Sequence, residues 1–213
     1  MTRTIISLAA SSLFAGLFAG CANYATFQEA DTLPQGGTRK GVAATYTNYS
    51  IESGDTTETV SVPALDLWYR YGITDRLEAH TSAWLPLGAS AGAKYQVLGS
   101  RAESGLAVSL GLDLGVLQIT SKDDQDMETK ATIVDTYVPV YVGYRMGPSF
   151  ASYLSPKYIL RLGFGESTAV EHLAGGTLGL AIGDGTSLLL EGSLMYDITL
   201  GSPALQGGVG LAF

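Results

Sequence analysis

The chain has 213 residues and a formal net charge of −8, with 20 acidic side chains against 12 Lys and Arg. This balance, without a basic run, excludes a nucleic-acid-binding surface. The single cysteine excludes an internal disulfide, and nothing after it offers the roughly 18 uninterrupted apolar residues of a membrane-spanning helix.

The N-terminal 20 residues have the layout of a secretory signal peptide, because a cation at Arg3 precedes an apolar run over residues 5–20. Small residues before Cys21 resemble the lipobox of bacterial lipoproteins. That resemblance implies that residues 1–20 are removed and that Cys21 is acylated. The alternative is an ordinary signal peptide, cut near Ala19 or Ala22, which leaves a free thiol.

Residues 22–37 are polar and small, and with Cys21 they are predicted to form a flexible, acylated tether over 21–37. Beyond it, over 38–213, apolar residues recur at every second position, which is typical of β-strands. In the clearest case, residues 106–116, one face is wholly aliphatic and the other carries small residues and one acid.

Ten strands are predicted, with eight or twelve as alternatives, at about 39–49, 59–72, 76–86, 89–98, 105–119, 131–146, 150–165, 170–183, 186–199 and 204–213. A change in the apolar phase near Pro63 predicts a bulge there. Aromatic residues near strand ends fit the girdles of a membrane barrel: Tyr69, Tyr71, Trp84, Tyr144 and Tyr196.

The connections after strands 2, 4, 6 and 8 are predicted to be tight, and those after strands 1 and 5, at 52–58 and 121–130, to be longer and charged. Barrels of the outer membrane place short turns and both termini in the periplasm. The pattern therefore predicts that orientation here. The acids Asp123, Asp124, Asp126 and Glu128 are expected to form a solvated loop, with loose calcium binding as the less favoured alternative.

These features together resemble the small outer-membrane β-barrels of Gram-negative bacteria, over nearly all of residues 38–213. The last strand carries outward apolar residues similar to the signal read by the barrel-assembly machinery: Leu205, Val209, Leu211 and Phe213. The resemblance implies an all-β, closed antiparallel transmembrane barrel in contact with outer-membrane lipids. A soluble barrel or sandwich is the alternative, but the non-aliphatic face is too small to be a well-solvated exterior.

The inward face is predicted to carry charges of both signs, which favours ion pairs across a largely closed lumen. These residues are Asp66, Arg70, Glu78, Lys94, Asp113, Asp135, Arg145, Lys157, Arg161, Glu191 and Asp197, together with Trp68 and His80. We therefore expect a structural or interaction role with an unidentified envelope protein as partner, and neither a metal nor a cofactor.

Two alternatives remain open for the function. A narrow, low-conductance channel for small solutes is the first. The second is a lipid hydrolase, because Glu78, His80 and Ser82 share one face of strand 3. Same-face neighbours on a strand lie roughly 6.6–6.8 Å apart, so this reading needs their side chains to lean together. His172 and Glu171 are expected to be an exposed pair at the outer rim.

Overall fold

The computed structural model describes residues 23–53, 56–85, 88–99, 101, 104–122, 128–165 and 168–213. They form a closed antiparallel barrel whose strands pair with their neighbours in the sequence, β10 closing onto β1. This confirms the fold class and a strand number of ten rather than eight or twelve. The strands are β1 (Thr38–Ser53), β2 (Thr56–Thr74), β3 (Leu77–Leu85), β4 (Gly88–Leu98), β5 (Gly105–Lys122), β6 (Glu128–Arg145), β7 (Phe150–Phe164), β8 (Thr168–Ile182), β9 (Ser187–Asp197) and β10 (Ser202–Ala212).

The barrel has two rims, which we name by their place in the chain. The turn rim is where β1 begins and β10 ends, and the loop rim is the opposite edge. Connections at the turn rim are residues 75–76, 99–104, 146–149 and 183–186, and those at the loop rim are 54–55, 86–87, 123–127, 165–167 and 198–201. The predicted difference in connection length is therefore wrong.

The two rims differ instead in how far the strands extend. β1 and β2 have 16 and 19 residues and β5 and β6 have 18 each, whereas β9 and β10 have 11. Most of the predicted loops at 52–58 and 121–130 are thus strand, because threonines and other β-branched residues favour strand pairing there. Asp123, Asp124 and Asp126 lie outside the described residues, and the described residues hold no cluster of metal-ligating side chains.

Side chains alternate between the two faces of the wall, except at register shifts near residues 72–74 and 96–98. On β5, Leu112 and Leu114 point outward and are 57% and 59% exposed, while Ser109 and Asp113 point inward and are buried. The outer surface of the barrel is therefore an aliphatic band and the inner surface is polar and charged.

No helix in the described ranges is long and apolar enough to cross a bilayer.

Two local predictions need correction. Pairing between β1 and β2 runs through Pro63 without a register shift, so Pro63 points outward on an edge-free strand and no bulge forms there. Trp84 is only 5% exposed and faces the lumen, because its ring lies over the inward position of Gly88. The four tyrosines predicted with it do face outward: Tyr69, Tyr71, Tyr144 and Tyr196.

The last strand closes the barrel at the turn rim. The backbone of Phe213 exchanges hydrogen bonds of 2.8 and 2.9 Å with Lys40, and the Lys40 ammonium lies 5.4 Å from the centre of the Phe213 ring. Leu205, Val209, Leu211 and Phe213 all point outward. Their role as an assembly signal stays a prediction.

Candidate functional site: a lumen occupied by the N-terminal segment

Residues 23–33 lie inside the barrel, and we call them the lumenal segment. Tyr24 is 1% exposed and Phe27 is 2% exposed, and Glu29, Asp31 and the other residues from 27 to 33 are buried as well. The segment belongs to no strand. The prediction of a flexible tether is therefore wrong for these residues; the predicted signal peptide over 1–20 and Cys21 lie outside the described residues.

The chain leaves the lumen through a turn at residues 34–37, which we call the rim turn. Gly36 adopts a φ of 74°, a conformation that glycine reaches without strain. Its amide donates to the carbonyl of Gly72 at 2.8 Å, and the amide of Gly72 donates to the carbonyl of Gly37 at 2.9 Å. A Cβ on Gly72 would stand 2.1 Å from the carbonyl oxygen of Pro34. Traced back from the rim turn toward lower residue numbers, the segment therefore enters the lumen at the turn rim.

The path then runs away from the turn rim. Leu33 and Thr32 bond to Glu78 and Gln96 near the turn rim, whereas Tyr24 packs against Tyr49, Met195 and other side chains toward the opposite rim. Asn23 bonds to Asp66 and Gln206. The two ends of the described chain thus differ, with Phe213 at the turn rim and Asn23 deep inside the barrel.

Near the turn rim, two carboxylates of the segment meet a group of arginines. Glu29 accepts from Arg39 at 2.7 Å and from Arg145, and lies 3.5 Å from Arg101. Asp31 accepts from Nε of Arg145 at 2.8 Å. Charge-assisted hydrogen bonds of this kind are the strong ones in proteins, so this cluster fixes the turn-side half of the segment.

The Glu29 carboxylate stays ionised in this cluster. Burial would raise its pKa, but attraction to Arg101, Arg39 and Arg145 outweighs burial and lowers the pKa to about 2. In the released, solvated segment the same group has its ordinary pKa of 4.5. Ionised Glu29 therefore stabilises the segment inside the lumen to its full extent above pH 4.5. This stabilisation is lost as the pH falls toward 2.

A second charged group lies behind the first. Glu78 lies 3.2 Å from Lys94 and 3.8 Å from Arg70, and it also accepts the amide of Leu33 at 2.9 Å. Lys94 donates to the main-chain carbonyls of Glu29 and Asp31 at 2.9 and 3.0 Å. Glu78 and Lys94 are therefore partnered both by wall charges and by the backbone of the segment.

Toward the loop rim, the wall binds the segment mainly through its backbone. The carbonyl of Tyr24 accepts from Lys157 and, at 3.1 Å, from Thr177. Glu191 accepts the amide and hydroxyl of Thr26 at 2.8 and 3.0 Å. Buried charges need such partners, and here the segment supplies them.

All eleven residues predicted to face the lumen are buried there, but only some of them pair with one another. Arg161 binds Asp135 through two bonds of 2.9 and 3.0 Å. Asp113 meets His80, and Asp197 accepts two amides of its own turn. These direct ion pairs join neighbouring strands, as Glu78 with Lys94 and Asp135 with Arg161 do, so the expectation of pairs across the lumen is corrected; the segment or local groups bind most of the other charges.

Several charged residues of the site are missing from the predicted set: Glu29, Asp31, Arg39, Arg101 and Glu171. Arg39 follows the inward phase of β1, so the alternation could have identified it. Glu171 is buried and lies 3.7 Å from Arg161, which corrects the expectation of an exposed pair; His172 beside it is exposed and bonds to Tyr158. Glu29, Asp31 and Arg101 lie outside strands, where no periodic signal exists.

Phe27 is held by packing rather than by charge. Its ring lies among small wall residues and contacts the region of Gly208 and Gly210, where a Cβ would stand 2.7 Å and 3.3 Å from ring atoms. Ala30 approaches Gly143 in the same way, at 2.8 Å from a Cβ built there. The small inward residues of the wall therefore make the room that the segment fills.

The hydrolase candidates do not come together. Glu78 is bound to Lys94, Arg70 and Leu33, and Ser82 bonds to Ser90 at 2.7 Å. His80 contacts Asp113 through Nε2, and its Nδ1 has no hydrogen-bond partner among the described residues. The cavity beside them, about 60 Å³, has room for a few water molecules but not for a lipid. This geometry does not favour hydrolysis.

Comparison with known proteins gives likenesses in fold only. No family model matches the chain, and no curated protein matches it. Among solved structures, Neisserial surface protein A is similar with 11% identity and a TM-score of 0.44, covering 82% of this chain and 95% of its own. Ail, the attachment invasion locus protein of Yersinia pestis, gives 10% identity and 0.40, covering 83% and 99%. The outer membrane protease OmpT of Escherichia coli gives 9% and 0.44, covering 88% and 99%.

A glycine pair on β10 tests whether the segment packs against the wall. Gly208→Ala places a methyl group against Phe27 and should destabilise the protein by about 1–3 kcal/mol, the usual effect of overpacking. Gly207→Ala is the matched control, because nothing lies within 4 Å of its Cβ position. Urea unfolding of both variants in detergent measures the difference. Equal stability of the two would contradict packing of Phe27 against β10.

Proposed function

We propose that the protein is an integral outer-membrane barrel with a structural or interaction role, whose lumen is closed by its own N-terminal segment. The observation that carries the proposal is the division of the wall into an aliphatic outer face and a charged inner face that the segment occupies. In a bilayer every backbone polar group must be paired, and a closed barrel achieves this. The outward aliphatic residues would then face outer-membrane lipids.

The lengths of the strands support an interaction role. A tilted strand needs about 9–11 residues to cross a bilayer, and β9 and β10 have 11. The hairpins β1–β2 and β5–β6, with strands of 16 to 19 residues, extend beyond that length. Their ends at the loop rim are where an envelope or external partner would make contact. Assembly would require the barrel-assembly machinery.

A narrow channel is the alternative function, and it depends on movement of the segment. Without the segment, inward charges such as Lys157 and Glu191 would need water as their partner, so the lumen would become hydrated. The segment is attached to the wall by side-chain contacts rather than by a strand ladder. Displacement would therefore leave the barrel wall intact.

Conductance measurements distinguish a lumen closed by the segment from an open channel. Purified wild-type protein in planar bilayers should show little or no conductance. Glu29→Lys places a fourth cation beside Arg39, Arg101 and Arg145, and like charges repel, so the segment should be displaced and discrete conductance should appear. Gln35→Lys adds a charge to the exposed rim turn and is the control, expected to behave as wild type. Large, steady steps in wild type would support the channel reading, and silence of Glu29→Lys would contradict closure by the segment.

We also propose that the turn rim faces the periplasm. The position of Phe213 at that rim supports this, because the resemblance to outer-membrane barrels implies that the end of the last strand lies in the periplasm. In a Cys21→Ser background, a cysteine replacing Asp184 at the turn rim should escape an impermeant thiol reagent on intact cells and react after permeabilisation. A cysteine replacing Thr199, exposed at the loop rim, should react on intact cells. The reverse pattern would invert the orientation.

Acylation of Cys21 is the remaining proposal, and it rests on the lipobox resemblance. Asn23, the first described residue, is bound to Asp66 and Gln206 inside the barrel, so the acyl groups would be attached two residues before a part of the chain that the wall already binds.

Intact-mass analysis of membrane-extracted protein tests the acylation. The expected result is a mature chain that begins at Cys21 and carries acyl groups. A Cys21→Ser form should lack that mass. A mature terminus elsewhere, with a free thiol, would contradict acylation and leave the closed barrel unaffected.

A further inference from the structure

We propose that the lumen wall is a binding site for an acidic peptide, and that the lumenal segment is a built-in ligand exchangeable with the same sequence supplied in trans. The proposal rests on closure of the lumen by the segment. It adds a recognition rule, namely an aromatic residue followed at alternate positions by two carboxylates, as in Phe27, Glu29 and Asp31.

The first part of the argument is that the wall binds the main chain of the segment. Carbonyls of the segment accept from wall side chains: Tyr24 from Thr177 at 3.1 Å, Phe27 from Arg70 at 3.3 Å, Ala30 from Ser109 at 2.5 Å, and Glu29 and Asp31 from Lys94 at 2.9 and 3.0 Å. Any peptide that follows the path of the segment can offer these carbonyls.

Amide groups of the segment are bound in the same manner. Those of Tyr24, Thr26, Thr32 and Leu33 donate to side chains of Gln206, Glu191, Gln96 and Glu78 at 2.7, 2.8, 3.0 and 2.9 Å. The wall thus presents donors and acceptors in an order that matches one chain direction. If they were vacated, these buried groups would lose their partners, which is unfavourable. The empty wall would therefore favour a new peptide.

The second part is that three side chains give the site its selectivity. Phe27 occupies the space left by Gly208 and Gly210. Glu29 accepts from Arg39 and Arg145, and Asp31 accepts from Arg145. Phe27 adopts a φ of 43° and the chain bends at residues 30–31, so the selectivity depends on these three contacts and not on strand alternation. A neutral or basic peptide would leave the arginines without their carboxylates.

The third part is that the segment can be exchanged without breaking the barrel. Residues 23–33 contribute no rung to the strand ladders, and β1 pairs fully with β2 and β10. Within the described ranges, the segment is joined covalently to the barrel through the rim turn alone, whose residues 34–36 are exposed. The segment therefore behaves as a tethered ligand, and a competing peptide faces a high but finite local concentration of it.

The test uses full-length protein in which the tethered ligand is weakened and the wall is intact. Phe27→Ala/Glu29→Gln removes two of the three selective contacts. A fluorescent peptide of residues 23–33 should bind this variant in detergent, by anisotropy, at least about tenfold more tightly than it binds wild type, in which the tether competes. A scrambled peptide of the same composition is the control and should not bind. If the double variant does not refold, Phe27→Ala alone keeps every charged contact and serves in its place.

Selectivity is tested with a second peptide in which the residue equivalent to Glu29 is Gln. It should bind the double variant about tenfold more weakly, the effect of losing one charge-assisted hydrogen bond. Adding Arg145→Gln to the protein should reduce that difference between the two peptides. Equal binding of the scrambled peptide, or an undiminished preference for Glu after Arg145→Gln, would overturn the recognition rule.

The outcomes distinguish this proposal from the one on which it rests. If Glu29→Lys conducts but no peptide binds the weakened variant, the peptide site is refuted and closure by the segment stands. If peptide binding is selective and also blocks the conductance, both stand. If Glu29→Lys stays silent, closure itself is refuted, and with it the peptide site.

Discussion

The structure depends on one constraint: charged side chains enclosed by a barrel wall must find partners without bulk water. Many acidic and basic residues of the wall around the segment are almost fully buried, among them Arg70, Glu78, Lys94, Asp135, Arg161, Glu171 and Asp197. Uncompensated burial of even one such charge is strongly destabilising. The lumenal segment answers this constraint in two ways, since its carboxylates neutralise arginines and its main chain binds Lys94, Lys157, Glu78 and Glu191.

This arrangement explains why the inner wall combines large charged residues with glycine and alanine. The charged residues reach inward to bind the segment, and the small ones leave it space. Phe27 between Gly208 and Gly210, and Ala30 against Gly143, show the second case. A lumen closed by ion pairs alone would not require small residues beside the large charged ones. Closure and recognition are thus two aspects of the same packing.

The period of two allowed the barrel, its strand number and its inward faces to be predicted, because each strand side chain has only two directions. The same period could have included Arg39 and Glu171. It could not identify the lumenal segment, since residues 23–33 have no repeating pattern and owe their order to partners far along the chain, such as Gln206 and Lys157. Composition gave the wrong prediction for the same residues, because short polar residues suggested a flexible tether. Tyr24, Phe27, Glu29 and Asp31 instead contact wall residues that lie far along the chain. The failed bulge at Pro63 has a simpler cause, because an outward proline with an inward Val62 keeps the ladder in register.

The long sequence separation of these contacts has a consequence for biogenesis. Tyr24 bonds to a residue 182 positions later, and Asn23 to one 183 positions later. The seat of the segment therefore does not exist until β9 and β10 have been added, although the segment itself is the first part of the described chain to be synthesised. Contacts of such high sequence separation form late in folding. Until the seam between β1 and β10 is complete, the nascent protein carries an acidic segment without a site, and the final strand creates in one step both the closed wall and the place where that segment is held.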